Sequence, residues 1–215
     1  MNITPTDEQH TGLKSVARWY HTGTKPFFYL AGHAGTGKTT LARFAVEECG
    51  LDPDNHSQVL YASFTGKAAM VMNRKGLHAS TVHQLIYVLK EKTYSNGVSK
   101  LTFGLNPFSD MKNAKLLVLD ECSMINDVIA QDLLKYGTKV LVLGDPGQLE
   151  PVKGTGFFTK GTPDFFLQEI HRQALENPII RISQDVREGK EIPWGDFGEV
   201  KKLKFEDYPD ADLLD

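Results

Sequence analysis

Short, unbroken apolar runs recur along this chain, separated by stretches with helical spacing. Residues 26–31 (Pro-Phe-Phe-Tyr-Leu-Ala), 116–120 (Leu-Leu-Val-Leu-Asp) and 139–143 (Lys-Val-Leu-Val-Leu) are such runs, and 58–63 makes a further strand. Apolar runs without polar alternation suit strands covered on both faces, as in a parallel sheet. Between them the spacing predicts helices at 38–46, 66–74 and 127–136, a short helical segment at 80–86 and a late amphipathic helix at 176–188. The last is apolar at Ile179, Ile180, Ile182 and Val186. Thr6-Asp7-Glu8-Gln9 is a capping-box start for a first helix running to about Tyr20. Alternating strands and helices predict an α/β fold with a mostly parallel sheet flanked by helices.

One segment breaks the alternation. Residues 87–106 centre on Asn96-Gly97 between strand-like flanks, the strongest short-range signal for a β-hairpin. It carries lysines and the aromatics Tyr94 and Phe103. These rings either pack a small core of the hairpin's own or stack on bases of single-stranded nucleic acid.

The junction between the first apolar run and the following helix carries the clearest chemistry. Gly32-His33-Ala34-Gly35-Thr36-Gly37-Lys38-Thr39 is a complete G-x-x-x-x-G-K-[ST] loop between a strand and a helix. Gly35 and Gly37 let backbone N–H groups turn toward phosphate oxygens beside a helix N-terminus that favours anions. Lys38 would reach the β- and γ-phosphates, and the Thr39 hydroxyl would ligate Mg²⁺. The run 116–120 ends in Asp120-Glu121, a carboxylate pair where such a loop needs one. Loop and acids together predict a site for ATP and Mg²⁺. The nucleotide-binding candidates are Gly32, Ala34, Gly35, Thr36, Gly37, Lys38, Thr39 and Thr40, and the metal candidates Thr39 and Asp120.

Composition narrows the class. The 215 residues, 40% hydrophobic, suffice for one substantial core with a small subdomain. No 18-residue apolar run is present and residues 1–8 lack the pattern of a signal peptide, so no membrane association is expected. Two cysteines, Cys49 and Cys122, fall in predicted core elements and suit a reduced, cytoplasmic setting, in a bacterium or a virus's host. The net charge of −3 conceals an uneven distribution. From Phe64 to Lys115 eight basic side chains oppose two acidic ones, a local +6, whereas residues 185–215 carry ten acids against five bases. A basic band is what phosphate-backbone binding needs, although a solvated lysine-rich face has the same composition.

Taken in order, the motifs resemble the N-terminal motor domain of superfamily 1 helicases of the RecD/Dda-like group (superfamily 1B). The loop Gly32–Thr39 corresponds to its motif I, and Asp120-Glu121-Cys122-Ser123-Met124 to motif II. Ser63-Phe64-Thr65-Gly66-Lys67-Ala68-Ala69 resembles motif Ia, and Ser80-Thr81-Val82-His83 the DNA-contact motif that follows. Leu143-Gly144-Asp145-Pro146-Gly147-Gln148-Leu149-Glu150-Pro151-Val152 resembles motif III, with Glu150 where the family usually has proline. Glu169-Ile170-His171-Arg172-Gln173 resembles motif IV, and Thr6–Gln9 the adenine-recognising motif, although the capping box explains Gln9 locally.

The resemblance implies a P-loop NTPase fold that couples ATP hydrolysis to 5′→3′ movement on single-stranded DNA and unwinding. It implies catalytic roles for Lys38, Asp120 (metal), Glu121 (water activation), Gln148 (γ-phosphate sensing) and Arg172 (transition-state charge). Thr65, Lys67, Thr81 and His83 would contact the DNA backbone, with Tyr94 and Phe103 on a strand-separating pin. Expected partners are single-stranded DNA and its junctions with duplex, and replication or recombination proteins. The expected organisation is an ATPase domain at 1–86 and 107–190, the inserted hairpin at 87–106, and at 191–215 a connection to a second motor domain. Nothing after Gly189 resembles motifs V or VI. A P-loop ATPase acting as a nucleotide-gated switch without unwinding, and a structural subunit, remain alternative readings.

Overall fold

Leu116, Val118, Leu141 and Leu143 pack into one hydrophobic cluster, and Leu117, Leu119, Val140 and Val142 into another. Successive strand residues therefore reach opposite faces of a sheet, and both faces are covered, which is why these runs show no polar alternation. The computed structural model describes residues 4–95, 98–149, 151, 155–170 and 176–204, with the backbone only over 91–95 and 98–100.

In chain order the helices are α1 (Asp7–Thr22), α2 (Lys38–Glu48), α3 (Gly66–Arg74), α4 (Val82–Ile86) and α5 (Asp127–Leu134), followed by Pro178–Arg187. The strands are β1 (Phe27–Gly32), β2 (Val59–Ser63), β3 (Ser80–Thr81), β4 (Tyr87–Ser95), β5 (Val98–Leu105), β6 (Leu116–Asp120), β7 (Lys139–Gly144) and β8 (Phe165–Leu167), then β9 (Gly195–Asp196) and β10 (Lys201–Lys202). Six strands form one sheet in the order β3-β2-β6-β7-β1-β8, with every neighbouring pair parallel. Residues of α1, α2 and α3 join the first cluster, and residues of α4 and α5 the second. Crossovers between non-adjacent strands leave the loops after β1, β2, β6 and β7 together at the carboxyl edge, where ligands bind in such sheets.

Caps and cross-ties set several boundaries. Thr6 and Gln9 form the expected reciprocal box on α1. At the other end of α1, the Lys139 ammonium donates to the carbonyls of Trp19, Tyr20 and Gly23 at 2.7–3.0 Å, satisfying acceptors that a helix end leaves unpaired. The expected helical segment at 80–86 is corrected to a two-residue strand followed by a helix. Ala62 and Ser63 supply register partners for Ser80 and Thr81, so the sheet edge captures the first two residues. β8 was not foreseen; it extends the sheet by pairing with Leu30, Ala31 and Gly32.

The hairpin of β4 and β5 is a separate antiparallel pair with a register shift between Leu89 and Glu91. Its Asn96-Gly97 turn lies outside the described residues. At its base the Tyr136 hydroxyl faces the carbonyls of Ile86 (3.1 Å) and Asn106 (2.9 Å), and Asn106 N donates to Ile86 O at 2.8 Å.

The chain divides into two units, one of Met1–His33 with Gly37–Gln168, the other of Ala34–Thr36 with Glu169–Asp215. In the second, Asn177 caps Pro178–Arg187, which starts on Pro178 and has no buried residue; its apolar stripe leaves Ile179 and Val186 exposed. Lys202 lies over the Trp194 ring at 4.4 Å, beside the small β9–β10 pair. Among the described residues no helix is long and apolar enough to cross a membrane.

Candidate nucleotide-binding site

The loop after β1 turns through left-handed glycines, Gly35 at φ 86° and Gly37 at φ 84°, a region that costs other residues. Gly37 then accepts from Thr40 N and Leu41 N, starting α2 without any side-chain cap or acidic residue in its first turn. Such a helix end favours an anion. Thr36 is buried; with Ala34 and Gly35 it groups with the second unit. The Lys38 ammonium donates to the carbonyls of Gly32 (2.6 Å) and His33 (2.9 Å).

β6 brings in the acids. Asp120 is buried; its Oδ2 accepts from Thr39 Oγ1 at 2.6 Å and its Oδ1 from Glu121 N at 2.9 Å. The two metal candidates, 81 residues apart in sequence, thus touch. Among the described residues no three acids, histidines or cysteines cluster as a metal cage. One carboxylate and one hydroxyl fit Mg²⁺, a hard ion that takes oxygen ligands and completes its shell with waters and substrate phosphates.

Glu121 adopts the left-handed conformation (φ 56°, ψ 48°), rare and strained for a residue with a Cβ. The reversal ends β6 and sends the adjacent acids in different directions. Burial, and then the neighbouring Asp120 charge, push the Glu121 carboxyl above the usual glutamate range, partly offset by a hydrogen bond from Gln148. Gln148 is held from the other side by Ser123 Oγ, which donates to its Oε1 at 3.0 Å. The Asp145-Pro146-Gly147-Gln148 turn closes on itself, with Gly147 N donating to Asp145 Oδ1 at 2.9 Å and Gln148 N to Asp145 O at 3.1 Å. A Cβ on Gly144 would clash with the buried Cys122 Sγ, so glycine suits this position.

Of the sequence candidates, Lys38, Thr39, Asp120, Glu121 and Gln148 therefore meet at the ends of three neighbouring strands. Thr40 lies beside them on α2, its hydroxyl accepting from Lys75 at 3.2 Å. Gln9 is buried with its Oε1 accepting from Thr6 N, as the capping reading requires. Arg172 and Glu150 lie outside the described residues.

The nucleic-acid candidates occupy the other half of the same edge. Thr65 caps α3 and Thr81 caps α4, each accepting from a backbone N–H at 3.2 Å, after the adjacent strands β2 and β3. Lys67 and His83 are exposed. The His83 ring bridges Phe64 (5.6 Å) and Tyr87 (5.7 Å), so a short run of rings lines this surface. Phe103 is 60% exposed and pairs across the hairpin with Leu89, itself 48% exposed. Of Tyr94 only the backbone is described, in β4.

A family model described as an AAA domain matches residues 7–204. The chain belongs to the AAA-domain family. Similar proteins include the ATP-dependent RecD2 DNA helicase of Deinococcus radiodurans, 32% identical over 178 residues, covering 78% of this chain and 22% of that protein. The ATP-dependent DNA helicase dda of Enterobacteria phage T4 is 30% identical over 173 residues, covering 75% of this chain and 38% of the phage protein. This AAA domain thus spans well under half the length of either relative. Its fold is that of Pif1 helicase structures. Bacteroides Pif1 bound to ssDNA superposes with a TM-score of 0.59 at 19% identity, covering 89% of this chain and 48% of that one. Pif1 from Candida albicans gives 0.57 at 24%, covering 90% and 46%. The resemblance to a RecD/Dda-like motor domain holds.

Sequence reasoning missed four residues of the site. Ser123, Asp145 and His33 sit inside the quoted motifs, but their partners are remote in sequence. Ser63, in register with Asp120, is buried, and its hydroxyl has no hydrogen-bond partner among the described residues. Ser63 opens the stretch that resembles motif Ia, but its place beside Asp120 follows only from the pairing of β2 with β6.

Proposed function

We propose that this AAA domain is the ATP-hydrolysing part of a helicase or translocase motor on single-stranded DNA. The observation that carries the reading is the Thr39–Asp120 contact with Glu121 turned beside it toward Gln148. Thr39 and Asp120 are the residues that would hold Mg²⁺, which when bound draws charge from the β- and γ-phosphates. Lys38 exchanges its two loop carbonyls for phosphate oxygens, a stronger, charge-assisted pairing. Glu121, whose raised pKa eases acceptance of a proton, orients and deprotonates the attacking water. Gln148 touches the γ-phosphate side and holds Glu121, and Arg172 stabilises charge on the transferring phosphoryl group. Gln9 contacts the adenine.

Thr65, Lys67, Thr81 and His83 hold backbone phosphates, without reading sequence. Phe64 and the hairpin aromatics Phe103 and Tyr94 stack on bases, and the hairpin parts duplex at a junction. The 5′→3′ direction rests on the resemblance to the RecD/Dda-like group alone, and a cytoplasmic setting is supported by the buried free cysteines Cys49 and Cys122. In that group the domain works with a second motor domain, so unwinding belongs to the longer assembly.

The test is phosphate release from ATP with and without single-stranded DNA, beside Lys38→Ala. The expected result is DNA-stimulated turnover that falls about 10²- to 10³-fold in the variant. Turnover indifferent to both DNA and Lys38 would overturn the reading. Nucleotide-dependent DNA binding without turnover would favour a nucleotide-gated switch instead.

A further inference from the structure

We propose that His33 is a positioning residue that links the phosphate loop to the Asp145–Gln148 turn, so that nucleotide binding sets the place of Gln148 and Glu121. This rests on the nucleotide-site reading above and adds to it a residue that the loop motif leaves open, since any side chain satisfies the second position of G-x-x-x-x-G-K-[ST].

His33 faces both ways. Its carbonyl accepts from the Lys38 ammonium at 2.9 Å, while its ring Nδ1 lies 3.4 Å from Asp145 Oδ1. The Asp145 side chain is 1% exposed and that of His33 33%, so the contact reaches from the loop surface into the interior. The ring is set edge-on against Phe166, with centroids 5.1 Å apart at 77°, which limits its rotation. A carboxylate only accepts, so Nδ1 carries the proton in this contact.

The same Asp145 oxygen accepts Gly147 N, and the Asp145 carbonyl accepts Gln148 N. Gln148 in turn accepts from Ser123 Oγ and interacts with the Glu121 carboxyl, holding its pKa partly down. A continuous path therefore runs from the lysine that meets phosphate, through His33 and Asp145, to the residue that activates water. At 3.4 Å the His33–Asp145 contact is long beside the about 2.7–2.9 Å of a charge-assisted hydrogen bond. Polar contacts of catalytic sites commonly shorten when substrate binds. Drawing Lys38 to phosphate releases the His33 carbonyl, and the loop is then able to take up that slack.

The experiment compares His33→Leu, which keeps bulk without polarity, with His33→Asn, which keeps a donor at the δ position, in the full 215-residue chain. Steady-state ATP hydrolysis in the Leu variant is expected to show kcat lowered about five- to tenfold, a usual size for coupling between sites. KM stays within about twofold, since ground-state binding is untouched. Asn restores most of kcat. Leucine without effect on kcat, or asparagine no better than leucine, would overturn the proposal.

Hydrogen exchange separates this from failure of the nucleotide reading. In the wild type, ATP should slow exchange both in residues 32–39 and in 145–149. In the Leu variant the protection at 32–39 should persist while that at 145–149 is lost. Protection at 32–39 without any response at 145–149 in the wild type sinks the His33 link alone. No protection in either segment sinks the nucleotide site, and the link with it.

Discussion

At the ends of β1, β6 and β7 the charged groups Asp120 and Asp145 are buried at 5% and 1% exposure, and both Asp120 oxygens accept hydrogen bonds. Along β4 and β5, by contrast, Val88, Leu89, Leu101 and Phe103 stand 41–60% exposed, on a hairpin tied to the domain at its base. One region buries polar groups and the other displays apolar ones, each against the ordinary tendency. Buried acids are kept by cross-bonds among distant segments, so the first region is rigid and over-determined. Exposed apolar side chains await a partner, so the second keeps its shape through backbone pairing and a few anchors. Under the proposed function, chemistry that requires atoms placed to fractions of an ångström would fall to the first, and contact with a variable polymer to the second.

The sharpest way to break this contrast is Glu121→Gln. Without the base, turnover should fall about 10²- to 10⁴-fold while nucleotide binding persists, measured by phosphate release and by a nucleotide-induced thermal shift. The same variant tests the burial argument. Because the folded-state pKa of Glu121 is raised, the folded protein keeps a proton that the unfolded chain has released across the window between the ordinary and the raised value. Stability is therefore lost as pH rises through that window and stays lower above it. The Gln variant should melt higher than the wild type at neutral pH, with the gap closing below the ordinary carboxylate range. A gap independent of pH would remove the electrostatic cause.

Phe103→Ala addresses the other region. Affinity for single-stranded DNA should drop by about 1–3 kcal/mol, the usual worth of one base–aromatic stack, read by fluorescence anisotropy. Its thermal midpoint should not move, because the ring is 60% exposed. A lower midpoint with unchanged affinity would make Phe103 a packing residue.

The smallest effect is expected at the junction of the two regions. Tyr136→Phe deletes the hydroxyl facing the Ile86 and Asn106 carbonyls, at a cost of about 1 kcal/mol. Exchange of the Asn106 amide should quicken while the amides of β1 and β6 stay protected. Uniform loosening of all three would show that the hairpin base is part of the main cooperative unit.

The sequence by itself determined the layered α/β architecture, the phosphate loop and the acid pair. Strands buried on both faces leave unbroken apolar runs, and a backbone that must approach phosphate needs Gly35 and Gly37 at left-handed angles. The capped start of α1 was legible too, since a cap uses residues three apart; the caps that Thr65 and Asn126 place on α3 and α5 came from the structure. What only the tertiary structure decided involves partners far away in the chain. Phe165–Leu167 and Ser80–Thr81 become strands because β1 and β2 present pairing edges to them, which no window of local sequence contains. The left-handed turn at Glu121 is unfavourable for glutamate and is imposed by its surroundings. The contacts of Thr39 with Asp120, and of His33 with Asp145 across 112 residues, arise only when the sheet sets β1, β6 and β7 side by side. Motif spacing names the candidate groups, whereas parallel pairing places them within bonding distance.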